Sequence, residues 1–192
     1  MQRLVLLGVA LMFPALAHGG MEPQEKSQDD PRNWSPVKIA GRQQMPEFAD
    51  IDTWLNSDPL TAKKLQGKVV VVHFFTFDCI NCRHNYPWYK KTWADLKDKD
   101  FVMIGIHTPE TNPERNVEAL KKRIKSAGLT FPIAVDNKGT MWQRYNNNTW
   151  PTVYIFDKQG IARWAWSGEL GWKGATGEQQ MRKKIDELLQ EQ

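Results

Sequence analysis

From Val69 to Phe75 the chain runs Val-Val-Val-Val-His-Phe-Phe, β-branched and aromatic apart from one polar break at His73. Such a run suits a strand covered on both faces. Phe101 to Ile106 and Phe131 to Val135 are shorter apolar runs and predict two further strands. After the first strand the period changes: Tyr86, Tyr89, Trp93 and Leu96 recur at three and four residues, predicting a helix from Cys79 to about Lys97. Pro87 lies well inside it and should kink it. Pro113 to Ala127 predicts a second helix, with Pro113 in its first turn and Gly128 as its C-cap. A short helix is expected over Lys138 to Tyr145, opened by a turn at Asp136-Asn137. Thr152 to Phe156 and Ile161 to Trp166 flank Asp157-Lys158-Gln159-Gly160 and read as a hairpin, and Glu178 to Gln190 as a closing amphipathic helix. This alternation predicts an α/β sheet with parallel crossovers and a terminal hairpin.

The beginning of the chain follows neither period. Arg3, the apolar run Leu4 to Phe13 and the small-x-small triplet Ala15-Leu16-Ala17 form an expected export signal over residues 1–17, cleaved after Ala17. The run is shorter than the roughly 20 residues that span a bilayer; the alternative is that the segment is kept as an amphipathic anchor. Residues 18–36 are polar and turn-rich, a disordered leader. From Trp34 to Gly67 the composition is mixed, with Asp58-Pro59 and Gly67-Lys68 as turns. Phe48, Ile51, Trp54, Leu55, Leu60 and Leu65 are candidates to pack an irregular preface onto the domain, which is expected over residues 37–192.

Composition narrows the function. With 41% hydrophobic and 25% charged residues, the 192-residue chain fits one globular domain and an extension. Its formal charge of +4 comes from 26 basic residues dispersed among 22 acidic ones. That is a solvated surface, with no nucleic-acid partner expected. Nine tryptophans raise the question of an aromatic groove near the active site.

The only two cysteines, Cys79 and Cys82, stand as C-x-x-C directly after the first strand. Two cysteines in an exported protein usually mark a structural disulfide, but a loop this short staples little of a fold. Delivered to a helix start, the pair has the arrangement that dithiol chemistry needs, because unpaired N–H groups and the helix dipole favour a thiolate there. Cys79 is expected to attack a substrate disulfide and Cys82 to resolve the mixed disulfide. Asp78 opposes a low thiol pKa, whereas Arg83, His84 and the dipole favour it. Haem attachment needs histidine directly after the second cysteine, where Arg83 stands. A zinc site built on Cys79, Cys82 and His84 lacks a fourth ligand, since His18, His73 and His107 are scattered. No metal or organic cofactor is expected.

The strand before C-x-x-C, Pro87 five residues after the second cysteine, and Trp150-Pro151-Thr152 before the hairpin resemble the thioredoxin-like superfamily. Together with Trp150-Pro151-Thr152, the stretches Phe75-Thr76-Phe77-Asp78-Cys79-Ile80-Asn81-Cys82, Ile104-Gly105-Ile106-His107-Thr108-Pro109-Glu110 and Val135-Asp136-Asn137 are similar to the exported thioredoxin-like domains of the TlpA/ResA and DipZ type. The resemblance covers roughly Trp54 to Leu189. It implies a thioredoxin-like fold, a central mixed sheet with helices on both faces and a C-terminal β-hairpin plus helix. It also implies an exported, periplasmic or extracellular thiol–disulfide oxidoreductase. Such a protein reduces protein disulfides, is re-reduced by a membrane thiol donor and works as a monomer.

Carried onto residues, the resemblance makes Pro151 the cis-proline against the disulfide, with Trp150 and Thr152 as substrate-binding neighbours; for Trp150 the alternative is a core position. His73 stands where the thioredoxin pattern has a buried acid, so it is either a proton acceptor for Cys82 or a core histidine bonded to backbone. Glu110 is the alternative relay, and His107 is structural or orients Glu110. Two other classes stay open. One is a peroxiredoxin-like peroxidase, whose pattern has Thr76 three residues before Cys79 but a proline where Val72 stands. The other is a non-catalytic binding domain using the tryptophans.

Overall fold

The computed structural model describes residues 35–37, 39 and 41–191. The expected signal at 1–17, and all of the expected leader but its last two residues, lie outside the described residues. One sheet carries seven strands: β1 (Ser35–Pro36), β2 (Thr53–Leu55), β3 (Val69–Phe75), β4 (Phe101–His107), β5 (Ile133–Val135), β6 (Thr152–Phe156) and β7 (Ala162–Ser167). Their order is β1-β7-β6-β3-β4-β5-β2. The central strand β3 runs parallel to β4 and antiparallel to β6, and β6 and β7 form the hairpin.

Every residue of β3 is buried, which explains its unbroken apolar run. Side chains alternate across a strand. Val69, Val71 and Phe75 enter one core cluster, and Val70, Val72 and Phe74 the other. The first cluster is covered by helices α2 (Tyr86–Leu96), α3 (Val117–Ala127) and α5 (Gly177–Gln190). Across the sheet, α4 (Thr140–Arg144) and the irregular stretch carrying Met45, Phe48, Ile51, Trp54, Leu60 and Leu65 cover the second.

Several boundaries differ from the sequence expectation. The stretch expected as one kinked helix is two, α1 (Ile80–His84) and α2, separated at Asn85. Pro87 sits in the first turn of α2, where its missing N–H costs nothing, so the break falls just before it. Pro113 does not open α3. Residues Asn112–Arg115 form a 3-10 turn, and Asn116 then caps α3 by accepting from the Ala119 N–H at 3.0 Å. Gly128 ends α3 with φ +67°, as expected. The β5 ladder starts after Pro132, which has no N–H to give and uses only its carbonyl, toward Gly105 N at 3.0 Å. The preface supplies β2, antiparallel to β5.

Candidate active site

The ends of β3 and β6 set the site's frame. From Phe75 the chain passes through Thr76-Phe77-Asp78 to Cys79, the N-cap of α1. Cys79 and Cys82 form a disulfide with Cα atoms 5.3 Å apart, and the Cys82 N–H points at Cys79 Sγ at 3.2 Å. Cys79 is half-buried and Cys82 fully buried, while Ile80 between them is 53% exposed. One sulfur therefore faces the outside and the other the core.

Phe74 pairs with Thr152 across the sheet, so the next residue back, Pro151, lies beside Phe75 and the loop leading to Cys79. The Trp150-Pro151 bond is cis. Trp150 packs on Trp142 with ring centroids 4.0 Å apart and donates its indole N–H to the Thr108 carbonyl at 3.1 Å. It is half-buried at the edge of the cluster that contains Cys82. The buried Thr152 hydroxyl turns inward to the Thr149 carbonyl at 2.9 Å.

The turn after β7 braces this corner. Gly168 donates its N–H to the Pro151 carbonyl at 2.8 Å. Asn85, at the helix break, accepts from the Leu170 N–H at 2.8 Å and donates to the Gly168 carbonyl at 3.4 Å. Glu169, buried, meets His84 Nδ1 at 2.7 Å, and the His84 ring stacks on Trp172 at 5.1 Å. Burial pushes the Glu169 pKa up against the pull of His84. On the other flank Asp78 pairs with Arg123 at 3.4 Å. The opposing charges read from sequence are thus paired on both sides, and Arg83 alone has no carboxylate partner among the described residues.

His73 occupies the face of β3 that Val71, Phe75 and Cys82 share. Its ring stacks on Tyr89 at 4.1 Å between centroids, with Phe131 edge-on at 5.2 Å and Phe75 tilted at 5.4 Å. Neither ring nitrogen has a hydrogen-bond partner among the described residues, the backbone included. Burial drives its pKa down to about 3, so the imidazole is neutral. Gly105, its neighbour on β4, leaves the space: a Cβ there would meet His73 Nε2 at 3.1 Å.

Glu110 is exposed, and its carboxylate has no described hydrogen bond. The buried acid of that loop is Glu114, on the 3-10 turn. Its Oε1 accepts from the Thr76 hydroxyl and from the Asp78 N–H at 3.2 Å. Its Oε2 accepts from Glu110 N at 2.9 Å, Thr111 N at 2.8 Å and Thr111 Oγ1 at 3.1 Å. Burial would raise the Glu114 pKa, but these donors outweigh it and hold the carboxyl below its usual range. His107 lies against this acid's partner, with Nε2 3.4 Å from Thr76 Oγ1 and its ring stacked on Phe77 at 5.6 Å. Burial lowers the His107 pKa to about 4, against the attraction of Glu114. Thr111-Asn112-Pro113-Glu114 has the spacing of a capping box, the one sequence signal that points to Glu114. No short-range pattern announces Glu169 or Asn85. Among the described residues no cluster of histidine, cysteine and carboxylate could hold a metal ion.

A disulfide-bonded C-x-x-C at the end of the central strand, beside a cis-proline opening the neighbouring strand, defines a thioredoxin-like protein. Within that class the chain belongs to the AhpC/TSA family, which it matches over residues 42–165. It is 35% identical over 127 residues to protein DipZ of Mycobacterium bovis, an alignment covering 65% of this chain and 18% of DipZ. The chain thus spans less than a fifth of that relative's length. It is 25% identical over 150 residues to the thiol-disulfide oxidoreductase YkuV of Bacillus subtilis, covering 78% of this chain and 97% of YkuV. A solved thiol-disulfide isomerase from Corynebacterium glutamicum superposes with a TM-score of 0.66 at 28% identity, over 77% of this chain and 97% of the isomerase.

Proposed function

We propose that the protein is an exported thiol–disulfide oxidoreductase that reduces protein disulfides. One observation carries the reading: the Cys79–Cys82 disulfide has one half-buried sulfur and one buried sulfur, at a helix start beside a cis-proline. In the reduced protein the Cys79 thiolate attacks one sulfur of the client disulfide, and a client thiolate leaves and takes a proton. Cys82, deprotonated, then attacks Cys79 Sγ, expels the second client thiolate and restores the disulfide. Two electrons pass from the pair to the client, and a membrane thiol donor returns them. Pro151 and Trp150 border the client's path: the Pro151 carbonyl is taken by Gly168, and the Trp150 backbone ahead of the cis bond is the part that pairs with an extended segment.

His73 is the proton acceptor for Cys82 in this scheme. Its burial on the face of β3 that lies under the helices and its two unpartnered nitrogens support that role. Glu110, exposed, has less support. Residues 1–17 act as the cleaved signal and 18–36 as leader to a monomeric domain at 37–192, which puts the protein in the periplasm or outside the cell. The peroxidase alternative is weakened by Thr76, whose hydroxyl proton is committed to Glu114.

The test is Cys82→Ser in the full chain. It should accumulate mixed disulfides at Cys79 with client proteins, while Cys79→Ser accumulates none. A Cys82→Ser protein with a reactive Cys79 and no trapped client, or a reduced wild type that consumes hydrogen peroxide faster than protein disulfides, overturns the reading. The potential of the pair fixes direction: a value near about −270 mV fits a reductase, and one near about −120 mV a disulfide donor.

A further inference from the structure

Between α1 and α3 lies a cavity of about 140 Å³, lined by Phe75, Phe77, Tyr86, Ile124 and Leu129 and by two cationic residues, Arg83 and Arg123. It is smaller than the ~300–1,000 Å³ of a ligand pocket and has room for about one side chain. Its position is its most telling property. Phe77 comes two residues before Cys79, and Arg83 follows Cys82 directly.

We propose that this cavity seats an acidic side chain of the client protein, carried close to the client's disulfide, and so selects clients with a Glu or Asp beside the reacting cysteine. The inference rests on the disulfide-exchange reading and names its preferred substrate. The aromatic and aliphatic residues of the lining suit the methylenes of an acidic side chain, and Arg83 and Arg123 bring N–H donors and positive charge for its carboxylate. Among the described residues Asp78 is the one carboxylate paired with either cation, through Arg123, which also lies 5.8 Å over the Phe77 ring. Arg83 has no carboxylate partner among the described residues. A free small carboxylate would gain nothing from the adjacency to Cys79. A group tethered to the attacked disulfide gains a local concentration that the adjacency supplies.

The experiment uses the reduced full-length protein and two disulfide peptides that differ only in Glu or Gln next to the cysteine. The second-order rate of oxidation of the pair is followed by tryptophan fluorescence. The Glu peptide should react about fivefold faster at low salt, the size of one partly exposed ion pair, and salt should shrink the ratio. Arg83→Gln/Arg123→Gln should bring the ratio to one. The ratio cancels any general change in cysteine reactivity that the substitutions cause. Equal rates in the unaltered protein, or a preference that survives both substitutions or high salt, overturn the acidic seat. Hydroxyethyl disulfide, small and neutral, separates the two readings. If it oxidises the pair normally while the peptides are not distinguished, only the seat falls. If neither it nor the peptides oxidise the pair, disulfide exchange and the seat fall together.

Discussion

Two buried titratable groups, one within β3 and one against the loop that follows it, have opposite surroundings. Under the helices, His73 is enclosed by Tyr89, Phe75 and Phe131 with no hydrogen bond to either nitrogen. At the carboxyl ends of β3 and β4, Glu114 receives five donors. Burial acts on both and drives each toward neutrality; the histidine yields and is neutral, whereas the donors keep the acid charged. The fate of a buried group is thus decided by its partners more than by its depth. Their uses differ accordingly: a saturated carboxylate holds the loop in place, and an unpartnered imidazole is free to accept a proton when a charge appears beside it.

Removing the saturated partner should have the largest effect. Glu114→Ala leaves the buried Thr76 hydroxyl and the part-buried N–H groups of Asp78, Glu110 and Thr111 without their acceptor. A buried donor left without its acceptor costs about 1–3 kcal/mol, so losing several at once should cost roughly 3 kcal/mol or more, measured as the fall in unfolding free energy in urea. The loop before Cys79 loses its anchor at the same time, so exchange with a peptide disulfide should slow even at temperatures where the variant is fully folded. A loss under about 1 kcal/mol would mean that the donors find other acceptors, and the contrast with His73 would collapse.

The unpartnered group should show itself in acid. The unfolded chain takes a proton on His73 below about pH 6.5, whereas the folded protein refuses it down to about pH 3. Over that window the unfolded state holds more protons, so stability falls as pH falls. His107 adds a second decline from about 6.5 to about 4. His73→Leu removes the first contribution, so the stability of the variant relative to wild type should rise by about 3 kcal/mol between neutral pH and about pH 4, at roughly 1.4 kcal/mol per unit. The same variant tests the relay. If His73 accepts the Cys82 proton, resolution of a mixed disulfide at neutral pH should slow at least about a hundredfold, while alkylation of Cys79 keeps its rate. Unchanged resolution would leave His73 a core residue only.

A smaller effect comes from the space the imidazole needs. A methyl at Gly105 would lie 3.0 Å from Phe75 Cε1 and 3.1 Å from His73 Nε2. Gly105→Ala should therefore cost about 1–3 kcal/mol by overpacking, read as a lower urea midpoint. Pairing it with His73→Val should recover part of that loss, since the neighbours of an overpacked site do not behave additively. Full additivity of the two would show that Phe75 or the backbone, and not the ring, is what the glycine accommodates.

Elements carried by local pattern were legible in the sequence. β3, the hairpin of β6 and β7, and α5 lie where their periods place them, because each buries a face that the pattern alone defines. The Cys79–Cys82 pair and the cis bond at Pro151 are also present as expected. What escaped depends on partners distant in the chain. Three-residue β2 exists because β5 offers an edge about 80 residues later, a pairing no short-range period encodes. Spacing places both Glu110 and Glu114 after β4, and only the fold turns Glu114 inward. Glu169 and Asn85 meet α1 and the β7 turn across more than 80 residues.

The smallest effect is expected where those two acids are exchanged as candidates. Glu110 is exposed and reaches Glu114 through its backbone N–H, so Glu110→Gln keeps that hydrogen bond while removing a charge. Its stability should stay within about 0.5 kcal/mol of wild type, the usual range for a surface substitution. If Glu110 carried the Cys82 proton instead of His73, the substitution would slow resolution of the mixed disulfide at least about a hundredfold without touching the urea midpoint. The two outcomes differ in kind as well as size: a stopped-flow trace that matches wild type leaves the loop's chemistry to the buried Glu114 and the relay to His73. A slowed one would move the proton path to the surface of the loop, where solvent would compete with the carboxylate for it.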